Sequence, residues 1–261
     1  MKLRSIICAS AVSAAMAASA LETSNTFARM PVEGGSGYTL LGIPLAGCGE
    51  SSSAIYVTNL VMTTGLANGT KLLYKDGNSI YAWQISGGNW VALDTSTTVA
   101  GLTATPSAGS TALPCGKGCW LYLASSATVY MFGQVNEGAS MNVTVPGADT
   151  ATDVRYTLVS RPYEKTAFDI RTIAGAAGDT VIIPDSTNTK TGQTTYTFRV
   201  PTAGGDACWT KEVAGAASGG RKGGTTITHV ALTANEVTIP AGIAFMYGRK
   251  GTSGLTITFN K

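Results

Sequence analysis

Apolar and polar positions alternate with a period of two along much of the chain. The alternating runs are short and end in Gly, Asn, Asp or Ser. Lys71-Leu72-Leu73-Tyr74, then Lys75-Asp76-Gly77-Asn78, then Ser79 to Ile85 read as strand, tight turn and strand, with Asp-Gly supplying the positive φ of the turn. In the second strand Tyr81, Trp83 and Ile85 share one face, and Ile80, Ala82 and Gln84 share the other. Ser86-Gly87-Gly88-Asn89 is the next turn and leads into Trp90-Val91-Ala92-Leu93. Farther on, Trp120 and Tyr122 alternate with Cys119, Leu121 and Leu123. Beyond the first twenty residues no window combines a helical apolar stripe with caps. The pattern predicts an all-β protein of antiparallel sandwich or barrel-like units.

The same pattern occurs twice. Gly37-Tyr38-Thr39-Leu40 to Pro44-Leu45 resembles Arg155-Tyr156-Thr157-Leu158 to Pro162-Tyr163. Asn68-Gly69-Thr70-Lys71-Leu72-Leu73 resembles Gly178-Asp179-Thr180-Val181-Ile182-Ile183. Ile80-Tyr81-Ala82-Trp83 resembles Thr195-Tyr196-Thr197-Phe198, and each is followed by a Gly-rich turn and a Trp, at Trp90 and Trp209. Leu113-Pro114-Cys115-Gly116 resembles Ile239-Pro240-Ala241-Gly242. Each half closes with an alternating strand, near Thr128–Phe132 and Leu255–Phe259. Two repeats are too few for a solenoid, so two related units in tandem or face to face are expected. The expected layout is a signal peptide at 1–20, a flexible arm at 21–36 and a β unit at 37–136. A connector at 137–153, with a strand around Met141–Val145, then leads to a second β unit at 154–261.

The motifs also carry a resemblance. Gly37, Tyr38, Leu40, Pro44 and Leu45 are followed by Asn68-Gly69, the aromatic hairpin of Tyr81, Trp83 and Trp90, and Pro114-x-Gly116-x-Gly118-x-Trp120. This order resembles a family of exported bacterial β-repeat proteins of unknown function, found as paralogous sets in the planctomycete–verrucomicrobia group. The second half matches more loosely, with Ala244 and Met246 in place of Gly118 and Trp120. Cys115 and Cys119 depart from the family pattern. The resemblance implies an exported, β, non-enzymatic protein.

Compartment and charge narrow the reading. Met1-Lys2-Leu3-Arg4 is a basic start, Ser5 to Ala18 is uncharged and moderately apolar, and Ala18-Ser19-Ala20 fits a small-x-small cleavage site. This predicts a cleaved export signal, an extracellular or cell-surface location and no transmembrane segment, the run being too short and too rich in Ala and Ser to span. Formal net charge is +3, and removing Lys2 and Arg4 leaves +1. A near-neutral surface offers no electrostatic footprint for nucleic acid or anionic lipid. Beyond the signal lie Cys48, Cys115, Cys119 and Cys208. An even number in an oxidising compartment points to disulfides, unpaired buried thiols being the alternative. A Cys115–Cys119 bridge would close a small loop. Cys48–Cys208 would then tie the halves together, worth about 4–5 kcal/mol in the chain-entropy account.

Candidate chemistry is sparse. The single histidine, His229, sits in a strand-like stretch, and no Gly-x-Ser-x-Gly elbow supplies a serine for it. Cys-x3-Cys without a nearby His is a poor zinc site. Asp149-x3-Asp153 and Asp185-x2-Asn188 offer oxygens for calcium but lack the spacing of a calcium loop. Glu137 and Asp76 fall in connector and turn positions. No phosphate loop, dinucleotide fingerprint or Cys-x-x-Cys is present. No cofactor and no catalytic residue is expected. The aromatics remain: Trp83 and Trp90 as core, with Trp120, Tyr122 and Tyr74 as candidates for stacking on sugar rings. The leading expectation is a non-catalytic structural protein, a cell-surface, matrix or filament subunit that self-associates through β edges. The alternative is a carbohydrate-binding or adhesive module, with glycans as partners. A hydrolase ranks third and would need two convergent acids.

Overall fold

The computed structural model describes residues 27–46, 54–76, 79–93, 98–99, 102–103, 112–163, 167–184, 193–214 and 227–261. Its strands are antiparallel throughout, and the two halves repeat one topology. In the first half β1 (Phe27–Gly34), β2 (Gly37–Gly42), β4 (Lys71–Asp76), β5 (Ser79–Ser86), β6 (Asn89–Ala92), β10 (Gly118–Leu123) and β11 (Ala127–Gln134) build the framework. Minor strands β3 (Ala54–Tyr56), β7 (Thr98–Val99), β8 (Leu102–Thr103) and β9 (Ala112–Pro114) and one short helix, α1 (Val57–Leu60), fill the connections. The second half supplies β12 (Ser140–Val145), β13 (Val154–Ser160), β14 (Phe168–Asp169), β15 (Thr180–Pro184), β16 (Gln193–Arg199), β17 (Cys208–Ala214), β18 (Ile227–Ala231), β19 (Thr238–Ile239), β20 (Ala244–Lys250) and β21 (Leu255–Asn260).

The main sheets run β2-β10-β4-β5-β6 and β13-β20-β15-β16-β17-β18. Each is covered by a two-stranded ribbon, β1-β11 in one half and β12-β21 in the other. Each ribbon is the continuation of the adjoining sheet pair around a corner. In the first half the corner falls between Gly34 and Gly37, whose φ of 99° only glycine adopts without strain. Folding the ribbon over turns Met30, Val32, Val129 and Met131 inward onto Leu41, Leu72, Trp83 and Leu121, which closes the first core. Val143, Val145, Ile257 and Phe259 do the same onto Val159, Val181, Phe245 and Tyr247 in the second. Each such buried side chain contributes about 1.5–3 kcal/mol of transfer free energy.

The matched tryptophans share one structural task. Trp90 Nε1 donates to the Val61 carbonyl at 2.9 Å, and Trp209 Nε1 donates to the Ile173 carbonyl at 2.9 Å. Each indole thus satisfies a backbone acceptor beside its core. Registers also correct the alignment of the hairpins. Gly69 and Gly178 are the true equivalents, with φ of 88° and 89° and N–H groups donating to Ile85 and Phe198 carbonyls. Leu72 faces Trp83 and Val181 faces Tyr196, so Trp83 corresponds to Tyr196 rather than Phe198.

Two further expectations change. Phe27–Gly34 falls within the expected flexible arm, yet it is strand β1, paired over its whole length with β11. Pro31 is tolerated because β1 has a single partner among the described strands, so no ladder bond is lost on its other side. The expected connector contains β12, which pairs with β21 and so belongs to the second half. Residues 1–26, including the expected signal peptide, lie outside the described residues.

Candidate functional site

The halves pack about a local two-fold axis. Gly42 N donates to Gly242 O at 2.7 Å, and Ser160 N donates to Gly116 O at 2.8 Å. By register Gly42 matches Ser160, and Gly116 matches Gly242. The bridges Leu41↔Ile243 and Lys117↔Val159 repeat the relation. Each half therefore gives the other the same backbone contact, as in an isologous dimer. Ser160 Oγ adds a contact with no counterpart, accepting from Ile43 N at 3.0 Å and donating to Lys117 O at 2.8 Å. Near the axis Leu40, Leu158 and Ala244 form a small apolar cluster, with Trp120 and Met246 packed against it.

Beside this axis lies a cleft of about 880 Å³, lined from both halves. The first half contributes Tyr74, Asp76, Lys117 and Trp120; the second contributes Asp149, Asp153, Arg155 and Tyr156. Tyr74 reaches it from β4 and Trp120 from β10, while Arg155 and Tyr156 stand at the start of β13. Tyr74 stacks on Tyr81 at 6.4 Å, and burial, followed by the charge of Asp76, raises its phenol pKa. Lys117 Nζ donates to the Thr144 carbonyl. Burial lowers its pKa, and Asp76 opposes that shift. Arg155 and Asp149 stand 4.0 Å apart at the rim, with the Asp149 side chain almost fully exposed. Such a pair contributes little to stability. The cleft therefore combines flat apolar ring surface with donors and acceptors on both walls.

Of the residues expected to stack on sugars, Trp120 lines this cleft half-buried, whereas Tyr74 borders it from within the first core and is buried. Tyr122 instead pairs with Tyr38, ring centroids 5.1 Å apart. Trp83 and Trp90 lie in the core. Asp149, Asp153, Arg155 and Tyr156 come from the other half, and no local motif marks them as partners of Trp120.

The described cysteines, Cys115, Cys119 and Cys208, are free thiols, which corrects the expected Cys115–Cys119 bridge. Cys119 points into the first core and donates to the Leu41 carbonyl, whereas Cys115 lies near Tyr163 of the second half. Burial pushes both thiols up to about 12. Cys48, and with it the expected pairing to Cys208, lies outside the described residues. Asp185 and Asn188 lie outside them as well.

His229 stands on β18, and its Nε2 accepts from Arg199 Nη1 at 2.7 Å. Among the described residues, no three His, Cys, Asp or Glu side chains converge as a metal site. No described helix is long and apolar enough to cross a membrane. No family model matches the chain, and no curated protein or solved structure matches it either.

Proposed function

We propose that this protein is a non-catalytic extracellular structural subunit that assembles with copies of itself through sheet edges. The supporting observation is the sheet edge that each half presents among the described strands. The second sheet ends on β18, which has one partner among the described strands and leaves Ile227 and Val230 about half exposed. Among the described strands the first sheet ends on β6, with Val91 similarly exposed. An edge strand offers a row of backbone donors and acceptors to another chain. Pairing of β18 with β6 of a second copy is heterologous, and a heterologous contact that does not close generates a filament. The basic start and apolar run at residues 1–20 support export, and the near-neutral charge supports close approach of copies.

Negative-stain microscopy with size-exclusion chromatography on the purified protein tests this. Ordered filaments or sheets are expected. Val230→Lys, which puts a charge on the β18 edge, should reduce them to smaller species. A strict monomer at high concentration overturns the proposal.

A further inference from the structure

We infer that the cleft between the halves is a binding site for a neutral oligosaccharide. The internal symmetry of the chain carries the argument, because each cleft residue can be compared with what the same fold uses at the matching position. Register places Met246 where the first half has Trp120, and Ile183 where it has Tyr74. Ile243 corresponds to Lys117, and Gly37 to Arg155. The second half closes its sheet and core with Met, Ile and Ile at those places. The second half thus closes without an indole or an ammonium group at these places, whereas Trp120 packs against Leu73, Ile80 and Ala82 and, with its mate Met246, lines a space of about 880 Å³ that Lys117 also borders. That volume lies in the range of small-molecule sites.

The chemistry selects the ligand class. Trp120 and Tyr156, the latter 46% exposed, offer ring faces to the apolar faces of pyranose rings. Carboxylates accept from hydroxyl groups, while guanidinium and ammonium groups donate to them. The charges cancel: Lys75, Lys117 and Arg155 face Asp76, Asp149 and Asp153. Arg155 is already engaged with Asp149, and Lys117 feels the charge of Asp76. A balanced lining disfavours a polyanion and favours a neutral, hydroxyl-rich chain. The site stands whether or not the protein assembles.

Isothermal titration calorimetry on the purified protein uses three hexamers: β-1,4-linked glucose, β-1,4-linked N-acetylglucosamine and α-1,4-linked galacturonate. Saturable binding of at least one neutral hexamer, stronger than binding of galacturonate, is expected. Trp120→Met installs the residue that the other half tolerates and should weaken binding about tenfold. Tyr156→Ala tests the same face with a second variant, and Tyr38→Ala, its symmetry mate outside the cleft, should leave binding unchanged. Three outcomes overturn the inference: no binding of either neutral hexamer up to millimolar concentration, preference for galacturonate, or full affinity in both Trp120→Met and Tyr156→Ala.

Discussion

Asp179→Thr should be among the most damaging single substitutions in the second half. Asp179 is fully buried. Its carboxylate accepts from Arg249 Nη1 at 2.8 and 2.9 Å, from the Tyr247 hydroxyl at 2.7 Å, and from the backbone N–H groups of Lys250 and Ala176 at 3.0 and 2.9 Å. Arg249 is itself buried and also donates from Nε to the Ser253 carbonyl, which fixes the corner between β20 and β21. Burial, and then the hydrogen bond to Asp179, raises the Tyr247 pKa, so this phenol stays protonated and keeps donating. The first half has Thr70, Leu121 and Leu123 at these three places. Replacing Asp179 alone strands a buried guanidinium, at a cost of about 3–5 kcal/mol. At a urea slope of about 2 kcal/mol per M, the midpoint should fall by about 2 M. Trp209, the one tryptophan of the second half, lies edge-on to Tyr247 at 6.0 Å, so its share of the tryptophan fluorescence reports on this half. The triple replacement Asp179→Thr, Tyr247→Leu, Arg249→Leu transplants the apolar solution and should recover to within about 1 kcal/mol of the parent, because well-packed apolar residues substitute for buried ion pairs. A loss below about 1 kcal/mol in the single variant would refute the reasoning. So would a triple variant as unstable as the single one.

Three other outcomes follow from the same geometry. A Cβ at Gly118 would lie 2.4 Å from the Ala244 Cβ and 3.1 Å from the Leu158 Cβ. Gly118→Ala should therefore cost about 1–3 kcal/mol by thermal denaturation, and adding Ala244→Gly, which exchanges the two matched residues, should restore most of it. The Lys211 ammonium, with Thr233 N–H and hydroxyl, holds the Glu236 carboxyl down from 4.5 to about 2. Its contribution is present above pH 4.5 and is lost as the pH falls toward 2, so the melting-temperature gap between the parent and Glu236→Gln should close over that window. With pKa values raised to about 12, Cys115 and Cys119 should resist alkylation at pH 8 until the protein unfolds. Peptide mapping that found either one labelled early, or the two bridged, would contradict their placement.

The strands and the duplication were legible because their markers have local causes. Tyr38 and Tyr156 occupy matching sites on β2 and β13, and Trp90 and Trp209 cap matching carbonyls. The hairpin alignment slipped for the opposite reason. Short alternating runs tolerate a shift of one residue at Gly69 and of two at Trp83, and the feature that fixes their register, a positive φ at Gly69 and Gly178, leaves no unique mark among 32 glycines. β1 was missed because its alternation is carried by Met30 and Val32 around Pro31, and its partner β11 lies about a hundred residues away. The cleft was half legible. Trp120 and Tyr74 stood out as aromatics, but Asp149, Asp153 and Arg155 come from beyond the axis, and a period-two pattern says nothing about which strand faces which across it.

What the two halves have kept and what they have lost follows from what backbone and side chain each require. Every buried N–H and C=O at the axis must find a partner, so the Gly42–Gly242 and Ser160–Gly116 bonds persist as a pair. Side chains carry no such obligation once one gene encodes both halves, since a change no longer appears on both sides of the axis. The outer ribbon faces show the result. Phe27 stacks on Phe132 and Arg29 lies over Tyr130 in the first half, while Asn142 and Thr258 hydrogen-bond on the matching face of the second. The Asp179 network is another one-sided device, and it stabilises a corner that Leu121 and Leu123 close without charge. The cleft differs from both, because its one-sided residues come from both halves and border one open space. Packing explains divergence within a core and solubility explains it on an outer face, but neither calls for Trp120, Lys117 and Arg155 to converge on a single opening.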